Sequence, residues 1–349
     1  MKAMVVARYG PPENLELRTL SDPEPRPGDV LIRVRAVGVN FADLLQRMGI
    51  YPGVPKAPFI PGFEVAGTVE RVAAPNGGAN ASAGEAEPLR VGDRVAALTA
   101  FNAYAEHTVA RVSSVFRIPD AMPFEDAAAI PVNYLTAYHA MFAMGNLQRG
   151  DRILIHGAAG GVGIAAVQLA KTRGLITFGT AGASKQAYLR NIGVDHPIDY
   201  LREDAVQIVH HFAPEGIEMV MDPIGGKSFK RSIDCLGPTG RLVIYGFSAA
   251  AGPSGKRSLW RGARALMQTP RFHPLELMRR NLTVIGVQLA YLQKRTGLLR
   301  GQLAEIFRMY QAGEVKPVIG KAYPLAEAAA AHRYIHDRKN IGKVVLTVG

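Results

Sequence analysis

Cysteine is nearly absent from this chain, since Cys235 is the single one among 349 residues. A lone cysteine excludes an intramolecular disulfide framework and any zinc cluster built from several cysteines. We therefore expect a protein of a reducing compartment, the cytoplasm, and not a small secreted domain held by disulfides.

Long apolar runs are missing as well. The best candidate for a membrane span, Ala127 to Leu147, is interrupted by Pro131, Asn133, Thr136 and His139. It falls short of the ~18 uninterrupted apolar residues that a spanning helix needs. The apolar part of the N-terminus is too short for a signal peptide. We expect neither a membrane span nor a leader.

Length and composition predict a globular chain of two domains. A single hydrophobic core stops growing at ~250–300 residues, which this chain exceeds. Charged residues make up 20% and hydrophobic residues 48% of the sequence, so disorder is not indicated.

Positive charge exceeds negative charge by 12, and most cations are scattered along the chain. They concentrate only from Lys256 to Arg280, where arginines alternate with Trp260, Leu266 and other apolar residues. This segment is interpreted in three ways: a cover over a substrate cleft, a weak contact with a membrane surface, or a solvated helical face. Nucleic-acid binding is disfavoured, because the usual aromatic stacking platforms are missing.

A glycine-rich turn is the most informative feature that is present. Arg152 to Ile155 reads as a buried strand, and Ala158-x-Gly160-x-x-Gly163 follows it at the start of an amphipathic helix. Gly160 lets the backbone approach a phosphate, Gly163 lets the helix pack closely on the strand, and the free N–H groups of the helix start face an anion. The turn predicts a dinucleotide site.

The predicted secondary-structure pattern changes near Glu125. Before it, short strands are separated by glycine and proline, and Pro75 to Pro88 reads as a mobile surface loop. After it, strands alternate with helices, which is typical of a parallel sheet wound on both faces. We predict an α/β protein: a Rossmann domain with a doubly wound parallel sheet, joined to a β-rich domain.

The cofactor is predicted from the end of the second strand of the parallel sheet. An enzyme specific for NAD carries a carboxylate there, about 20 positions past the glycines, to bind the ribose 2′-hydroxyl. This chain has no carboxylate from Gly179 to Lys185, and it offers Ser184 and Lys185 instead. A hydroxyl and a cation suit a 2′-phosphate, so we predict NADPH.

Several motifs, taken together and in this order, resemble a known family. They are GVNFADL at Gly38 to Leu44, PGFEVAG at Pro61 to Gly67, VNYLTAY at Val132 to Tyr138, the glycine turn, DHPIDY at Asp195 to Tyr200 and NIGKVVL at Asn340 to Leu346. The set resembles the zinc-free quinone oxidoreductase branch of the medium-chain dehydrogenase/reductase superfamily, and within it the synaptic vesicle membrane protein group.

The resemblance implies the domain organisation and the site. A GroES-like catalytic domain would comprise residues 1–125 and 290–349, a Rossmann domain residues 126–289, and the protein would be a homodimer. The implied cofactor-binding residues are Asn40, Asn133, Thr136, Ala159, Gly160, Gly161, Val162, Gly163, Thr180, Ser184, Lys185, Tyr200, Phe247 and Arg338. Of these, Asn40, Asn133 and Thr136 resemble positions near the nicotinamide half of the cofactor, and the alternative interpretation of each is a satisfied buried polar group. The candidate catalytic residues are Asn40, Asp43, Tyr51 and Tyr134.

Zinc is not expected. Zinc-dependent relatives carry Gly-His-Glu where this chain has Gly62-Phe63-Glu64, and a phenylalanine cannot ligate a metal. The nine histidines are scattered, and we interpret them as surface residues, including the adjacent His210 and His211.

The predicted reaction follows from the missing metal and from the resemblance. Without a Lewis acid, dehydrogenation of alcohols is disfavoured, which leaves reduction of a quinone or of the activated C=C bond of an enone or enal. Many quinone reductases place a tyrosine five residues after the asparagine, where this chain has Leu45, so Tyr51 is only a candidate proton donor. The alternative is an NADPH-binding protein with little turnover, which acts at membranes or with a protein partner.

Overall fold

The computed structural model describes residues 1–73, 88–252, 259–292 and 294–349. The loop predicted from Pro75 to Pro88 lies, except for Pro88, outside these residues. The same is true of the first three residues of the segment from Lys256 to Arg280.

The N-terminal part of the chain is a β-rich unit. Its described residues form seven strands and one α-helix: β1 (Lys2–Val6), β2 (Leu15–Thr19), β3 (Asp29–Val39), α1 (Phe41–Met48), β4 (Glu64–Val72), β5 (Arg94–Leu98), β6 (His107–Arg111) and β7 (Val115–Arg117). Strands β1 and β2 pair with each other, and the long β3 is the centre of a larger, mostly antiparallel sheet. Four valines and Ile32 are the buried β-branched residues of β3, and they lie on both of its faces, as such residues fit a pleated, packed surface.

Strands and helices then alternate. The elements are α2 (Phe124–Ala129), α3 (Pro131–Tyr138), continued by a π-helical stretch (His139–Met144), β8 (Arg152–His156), α4 (Gly161–Thr172), β9 (Ile176–Ala181), α5 (Gln186–Asn191), β10 (His196–Asp199), α6 (Ala205–Phe212), β11 (Ile217–Asp222), α7 (Lys227–Asp234), β12 (Leu236–Ile244), α8 (Leu259–Met267), α9 (Pro274–Arg280), β13 (Thr283–Gly286), α10 (Leu289–Leu292) and α11 (Thr296–Gln311).

Six of these strands form one parallel sheet in the order β10-β9-β8-β11-β12-β13. Numbered within this sheet, the order is 3-2-1-4-5-6, that of a dinucleotide-binding Rossmann domain. Side chains alternate between its faces. Ile153 and Ile155 face a core shared with α3, α4 and α11, whereas Leu154 faces a second core with Val209 of α6 and Phe229 of α7. The predicted doubly wound sheet is confirmed.

The end of the chain returns to the N-terminal sheet. Its elements are β14 (Ile319–Pro324), α12 (Ala328–His336) and β15 (Lys343–Thr347). Strand β15 pairs parallel with β14 and antiparallel with β3. Helix α11 follows residue 290, yet Leu299, Leu303 and Ile306 pack it into the core of the parallel sheet. The domain boundaries at residues 125 and 290 stay a prediction.

Candidate functional site

The glycine turn joins β8 to α4 as the sequence predicts. A Cβ on Gly163 would lie 2.4 Å from the carbonyl oxygen of Gly157 and 2.6 Å from the Cα of Ala158, so the helix packs too closely for any side chain there. A Cβ on Gly160 would meet only the Gly157 oxygen, at 3.3 Å. Helix α4 starts at Gly161, and its first N–H groups lack intrahelical acceptors.

The C-terminal segment contacts this turn directly. The Gly342 N–H donates to the carbonyl oxygen of Ala159 at 2.9 Å, and Gly160 and Gly342 form a parallel bridge. Val162 is half-buried in the first turn of α4. The segment that leads into β15 of the N-terminal sheet therefore contacts the glycine turn of the parallel sheet.

Four of the predicted cofactor residues cluster where β9 and β10 end. The Lys185 ammonium donates to the carbonyl oxygen of Asn340 at 2.5 Å. Burial, and then the nearby Arg338 guanidinium, lower the pKa of Lys185. Ser184 is exposed beside it, and the Tyr200 hydroxyl lies next to Gly182, just before them. The cluster offers two cations and two hydroxyls.

Thr180 and Phe247 have structural contacts of their own. The Thr180 hydroxyl lies 3.2 Å from His156 Nδ1 and accepts from the Gly157 N–H at 3.2 Å, which ties β9 to the turn. The Phe247 ring covers Gly225, where a Cβ would lie 2.3 Å from it.

The interpretation of the histidines as surface residues is wrong for three of them. His139, His156 and His332 are at most 9% exposed. Each ring has at least one polar neighbour within hydrogen-bonding distance in the interior: Gln302 at His139, Thr180 and Ser232 at His156, and Tyr104 at His332. Scattered sequence positions did not reveal these contacts.

Asn40 lies at the other end of the site, between β3 and α1. Its Nδ2 donates to Glu64 Oε1 at 2.8 Å and to the Gly38 carbonyl oxygen at 3.2 Å. Its Oδ1 accepts from Lys343 Nζ at 2.6 Å. Both amide hydrogens therefore bond to the protein, so Asn40 has a fixed orientation and no spare donor.

Two further predicted residues lie on α3. A Cβ on Gly161 would lie 2.4 Å from Asn133 Nδ2, so the Asn133 amide lies against the glycine turn. Thr136 is buried one turn further along the helix. The structure thus brings Asn133 to the start of α4, whereas Thr136 has no hydrogen-bond partner for its side chain among the described residues.

Asp43, a predicted catalytic residue, belongs to a buried polar cluster whose members Tyr104 and His332 were not predicted. Its Oδ2 accepts from the Asn40 N–H and from the Tyr104 hydroxyl, each at 2.9 Å. The same hydroxyl lies 2.9 Å from His332 Nε2. Burial raises the pKa of Asp43 to about 7, against the opposing hydrogen bonds, and burial also lowers the pKa of His332 well below its usual value.

A sequence signal for His332 existed. Ala328, Ala331 and Ile335 place it on the buried stripe of α12, at helical spacing. Tyr104 carried no such signal, because its partners are distant in sequence.

The two candidate tyrosines differ in what their hydroxyls do. The Tyr134 hydroxyl donates to Gln168 Oε1 at 2.6 Å, between α3 and α4. The Tyr51 hydroxyl accepts from Gln288 Nε2 at 2.9 Å, and no acceptor for its own proton lies within reach among the described residues. Burial raises the pKa of Tyr51. Of the two, Tyr51 has a proton available for a substrate.

Phe63, at the position where a zinc ligand was considered, belongs to an aromatic wall with Tyr51 and Phe101. Phe63 is buried and packs edge-on against Tyr51, with ring centroids 5.1 Å apart, and its ring lies 6.4 Å from that of Phe101. Within residues 1–73, 88–252, 259–292 and 294–349, no group of three or more histidine, cysteine, aspartate or glutamate side chains could hold a metal ion.

Helices α8 and α9 expose apolar side chains. Trp260 is 86% exposed, and Leu266, Met267, Leu275 and Met278 are each at least 66% exposed. The described helices include none that is long and apolar enough to cross a membrane.

Comparison with known proteins agrees with this arrangement. Residues 26–120 match the alcohol dehydrogenase GroES-like domain family, and residues 192–346 match the zinc-binding dehydrogenase family. The chain is 39% identical to the human synaptic vesicle membrane protein VAT-1 homolog over 354 residues, covering 100% of this chain and 87% of that protein. It is 32% identical to human quinone oxidoreductase, covering 99% of this chain and 97% of that protein.

A solved structure shares the whole fold. Escherichia coli quinone oxidoreductase complexed with NADPH superimposes with a TM-score of 0.85 at 27% identity, and the match covers 100% of both chains. On these relationships the chain belongs to the medium-chain dehydrogenase/reductase superfamily, close to the VAT-1 homologues.

Proposed function

We propose that this protein is a zinc-independent oxidoreductase that uses NADPH to reduce quinones or the activated C=C bonds of enones and enals. One combination of features is its main support. A glycine turn shaped for a pyrophosphate occurs together with the two cations Lys185 and Arg338 and with Tyr51, whose hydroxyl proton has no acceptor among the described residues. The likeness to a quinone oxidoreductase that was solved with NADPH supports it.

The residues present fit this cofactor. A Cβ on Gly160 would meet only the Gly157 oxygen, at 3.3 Å, so the backbone just before α4 can approach an anion there. Arg338 lies close enough to Lys185 to lower the pKa of the lysine. Two neighbouring cations are expected at a site that binds a 2′-phosphate. When bound, NADPH supplies the hydride.

The opposite end of the site suits a flat, electron-poor acceptor. Phe63, Phe101 and the Tyr51 ring form an aromatic wall against which a quinone or enone can stack. Gln288 orients the Tyr51 hydroxyl, so its proton is free to stabilise the developing oxyanion or to protonate the product.

We further propose that the protein works as a cytoplasmic homodimer. The free Cys235 thiol is buried and suits a reducing compartment. Strand β13 forms one edge of the parallel sheet, and an edge strand presents unpaired backbone groups that a second copy can meet.

Deuteride labelling tests the reaction itself. NADPH deuterated at C4 of the nicotinamide should transfer deuterium to the β-carbon of an enone, whereas the α-hydrogen should come from solvent. Elemental analysis of the active protein should find no zinc in stoichiometric amount. Absence of turnover with every quinone, enone and enal tried would contradict the proposal, as would activity that chelation of a bound zinc abolishes.

Replacing Lys185 with alanine should weaken NADPH binding selectively. A charge-assisted hydrogen bond contributes ~1.5–3 kcal/mol, so the NADPH Kd should rise about 10- to 150-fold. The NADH Kd should change less than about twofold, because NADH has no 2′-phosphate. Titration calorimetry measures both.

Lys171→Ala is the matched control, since that ammonium binds Asp195 at 2.8 Å and should affect neither cofactor. Equal losses of NADPH and NADH affinity in the Lys185 variant would remove the argument for cofactor selectivity.

A second candidate function is contact with an anionic membrane surface through the segment from Lys256 to Arg280. The exposed Trp260, Leu266 and Met267 beside Arg264 favour it. Hydrogen exchange from residue 259 to residue 280 decides between the alternatives. If anionic vesicles slow the exchange and a bound acceptor leaves it unchanged, the segment contacts membranes. If a bound acceptor slows the exchange and vesicles leave it unchanged, the segment covers the substrate.

A further inference from the structure

A buried ion pair lies behind the predicted nicotinamide end of the site. Glu64 is fully buried and Lys343 is 3% exposed. The Lys343 ammonium lies 2.5 Å from Glu64 Oε1. Burying two charges is costly, and an apolar pair of similar volume is often as stable. The pair therefore calls for an explanation other than stability.

Every polar atom of Glu64 has a defined partner. Oε1 accepts from Lys343 and from Asn40 Nδ2, and Oε2 accepts from the Val132 N–H at 2.7 Å. Lys343 in turn donates to Asn40 Oδ1. Together the two charges determine which way the Asn40 amide faces, because each end of that amide meets a group of opposite polarity.

The pair also joins segments that approach the cofactor site from different sides. Asn40 follows β3, Glu64 begins β4 and Val132 lies in the first turn of α3, directly before Asn133. Lys343 follows Gly342, whose N–H holds the glycine turn at Ala159. Lys343 lines a small cavity together with Asn133, Gly161 and Gly342.

We infer that Glu64 and Lys343 are positioning residues for the nicotinamide half of the cofactor. Their ion pair orients the Asn40 amide and fixes the start of α3 against the glycine turn. The inference rests on the proposed use of NADPH and deepens it. It states which buried charges position the residues that would bind the nicotinamide half.

Two ligands separate positioning from a general structural role. NADPH reaches both ends of the site, whereas adenosine 2′,5′-bisphosphate carries only the adenine half and the 2′-phosphate. Lys343→Met should raise the Kd of NADPH about tenfold and change that of the bisphosphate less than about twofold. Fluorescence of bound NADPH and calorimetry of the bisphosphate measure these affinities without turnover.

A double variant protects the test against misfolding. Lys343→Met alone leaves the Glu64 carboxylate buried and unpaired, so Glu64→Gln is combined with it to leave no uncompensated charge. The double variant should show the same tenfold loss for NADPH alone. Equal losses for both ligands, or no loss in the folded double variant, would overturn the inference.

Turnover then distinguishes this inference from the proposed function. With an acceptor that the wild type reduces, both variants should lower kcat about tenfold. If the wild type reduces no acceptor, the proposed reaction fails, while the contrast between the two ligands still decides the role of the pair.

Discussion

Tyr51→Phe should lower kcat for enone reduction by ~10²-fold or more, because general acid catalysis by a positioned side chain contributes 10²–10⁴-fold. The Tyr51 hydroxyl accepts from Gln288 at 2.9 Å and retains its own proton. Burial raises the pKa of that hydroxyl, so it stays protonated at neutral pH. The NADPH Kd should be nearly unchanged.

Steady-state kinetics with one enone and one quinone measure this effect. Tyr310→Phe is the matched control. Tyr310 lies on helix α11, and its hydroxyl also makes one side-chain hydrogen bond, which it donates to Asp126 at 2.8 Å. An unchanged kcat in Tyr51→Phe would assign protonation to water. A loss confined to enones would show that a quinol needs no protein acid.

Asp43→Asn should change how stability depends on pH. Burial raises the pKa of Asp43 from its ordinary 3.8 to about 7 in the folded protein. Between these two values the unfolded chain has released the proton and the folded chain keeps it. The folded state then binds more protons, so the free energy of unfolding falls as pH rises and levels off above the folded pKa.

The expected size of this effect is large. From about pH 5 to about pH 8, the wild type should lose roughly 2–3 kcal/mol of unfolding free energy through this group, and Asp43→Asn should lack that loss. Asparagine can still accept from the Asn40 N–H and from Tyr104 through its carbonyl oxygen. Asp43 Oδ1 has no hydrogen-bond partner within the part of the chain that the structure describes, so its replacement by NH₂ breaks no such bond.

Denaturant unfolding at several pH values measures the difference. Asp126→Asn is the control, since Asp126 also accepts from a tyrosine hydroxyl. Parallel pH profiles for the wild type and Asp43→Asn would contradict the prediction and would mean that Asp43 ionises as it does in the unfolded chain.

Much of the fold was predicted from local patterns in the sequence. The strand, glycine turn and helix around Gly163 were predicted because close packing and anion binding each require small residues at fixed spacing. The parallel sheet followed from the alternation of strands and helices. Ser184 and Lys185 were predicted as cofactor residues because a missing carboxylate is visible in one short segment, whereas Tyr200 and Arg338 came from the family resemblance; their role stays a prediction.

What the sequence did not reveal depends on distant contacts. Glu64 and Lys343 are 279 positions apart, and each stands at the start of an apolar strand where a charge usually lies at the surface. Tyr104 meets His332 across 228 positions. Only the closure of the N-terminal sheet by the end of the chain brings these groups together, and no local period encodes that closure.

That closure also affects how the chain is made. One edge of β3 is shared by two partners: β6 pairs with Asp29 to Arg33, and β15 pairs with Ala36 to Val39. The first partner is synthesised soon after β3, whereas the second follows about 300 positions later. At 5–20 residues per second, this half of the edge stays unpaired for roughly 15–60 s on the ribosome. The N-terminal sheet, although translated first, is therefore completed last, and until then the free edge of β3 presents unpaired backbone groups to any other strand.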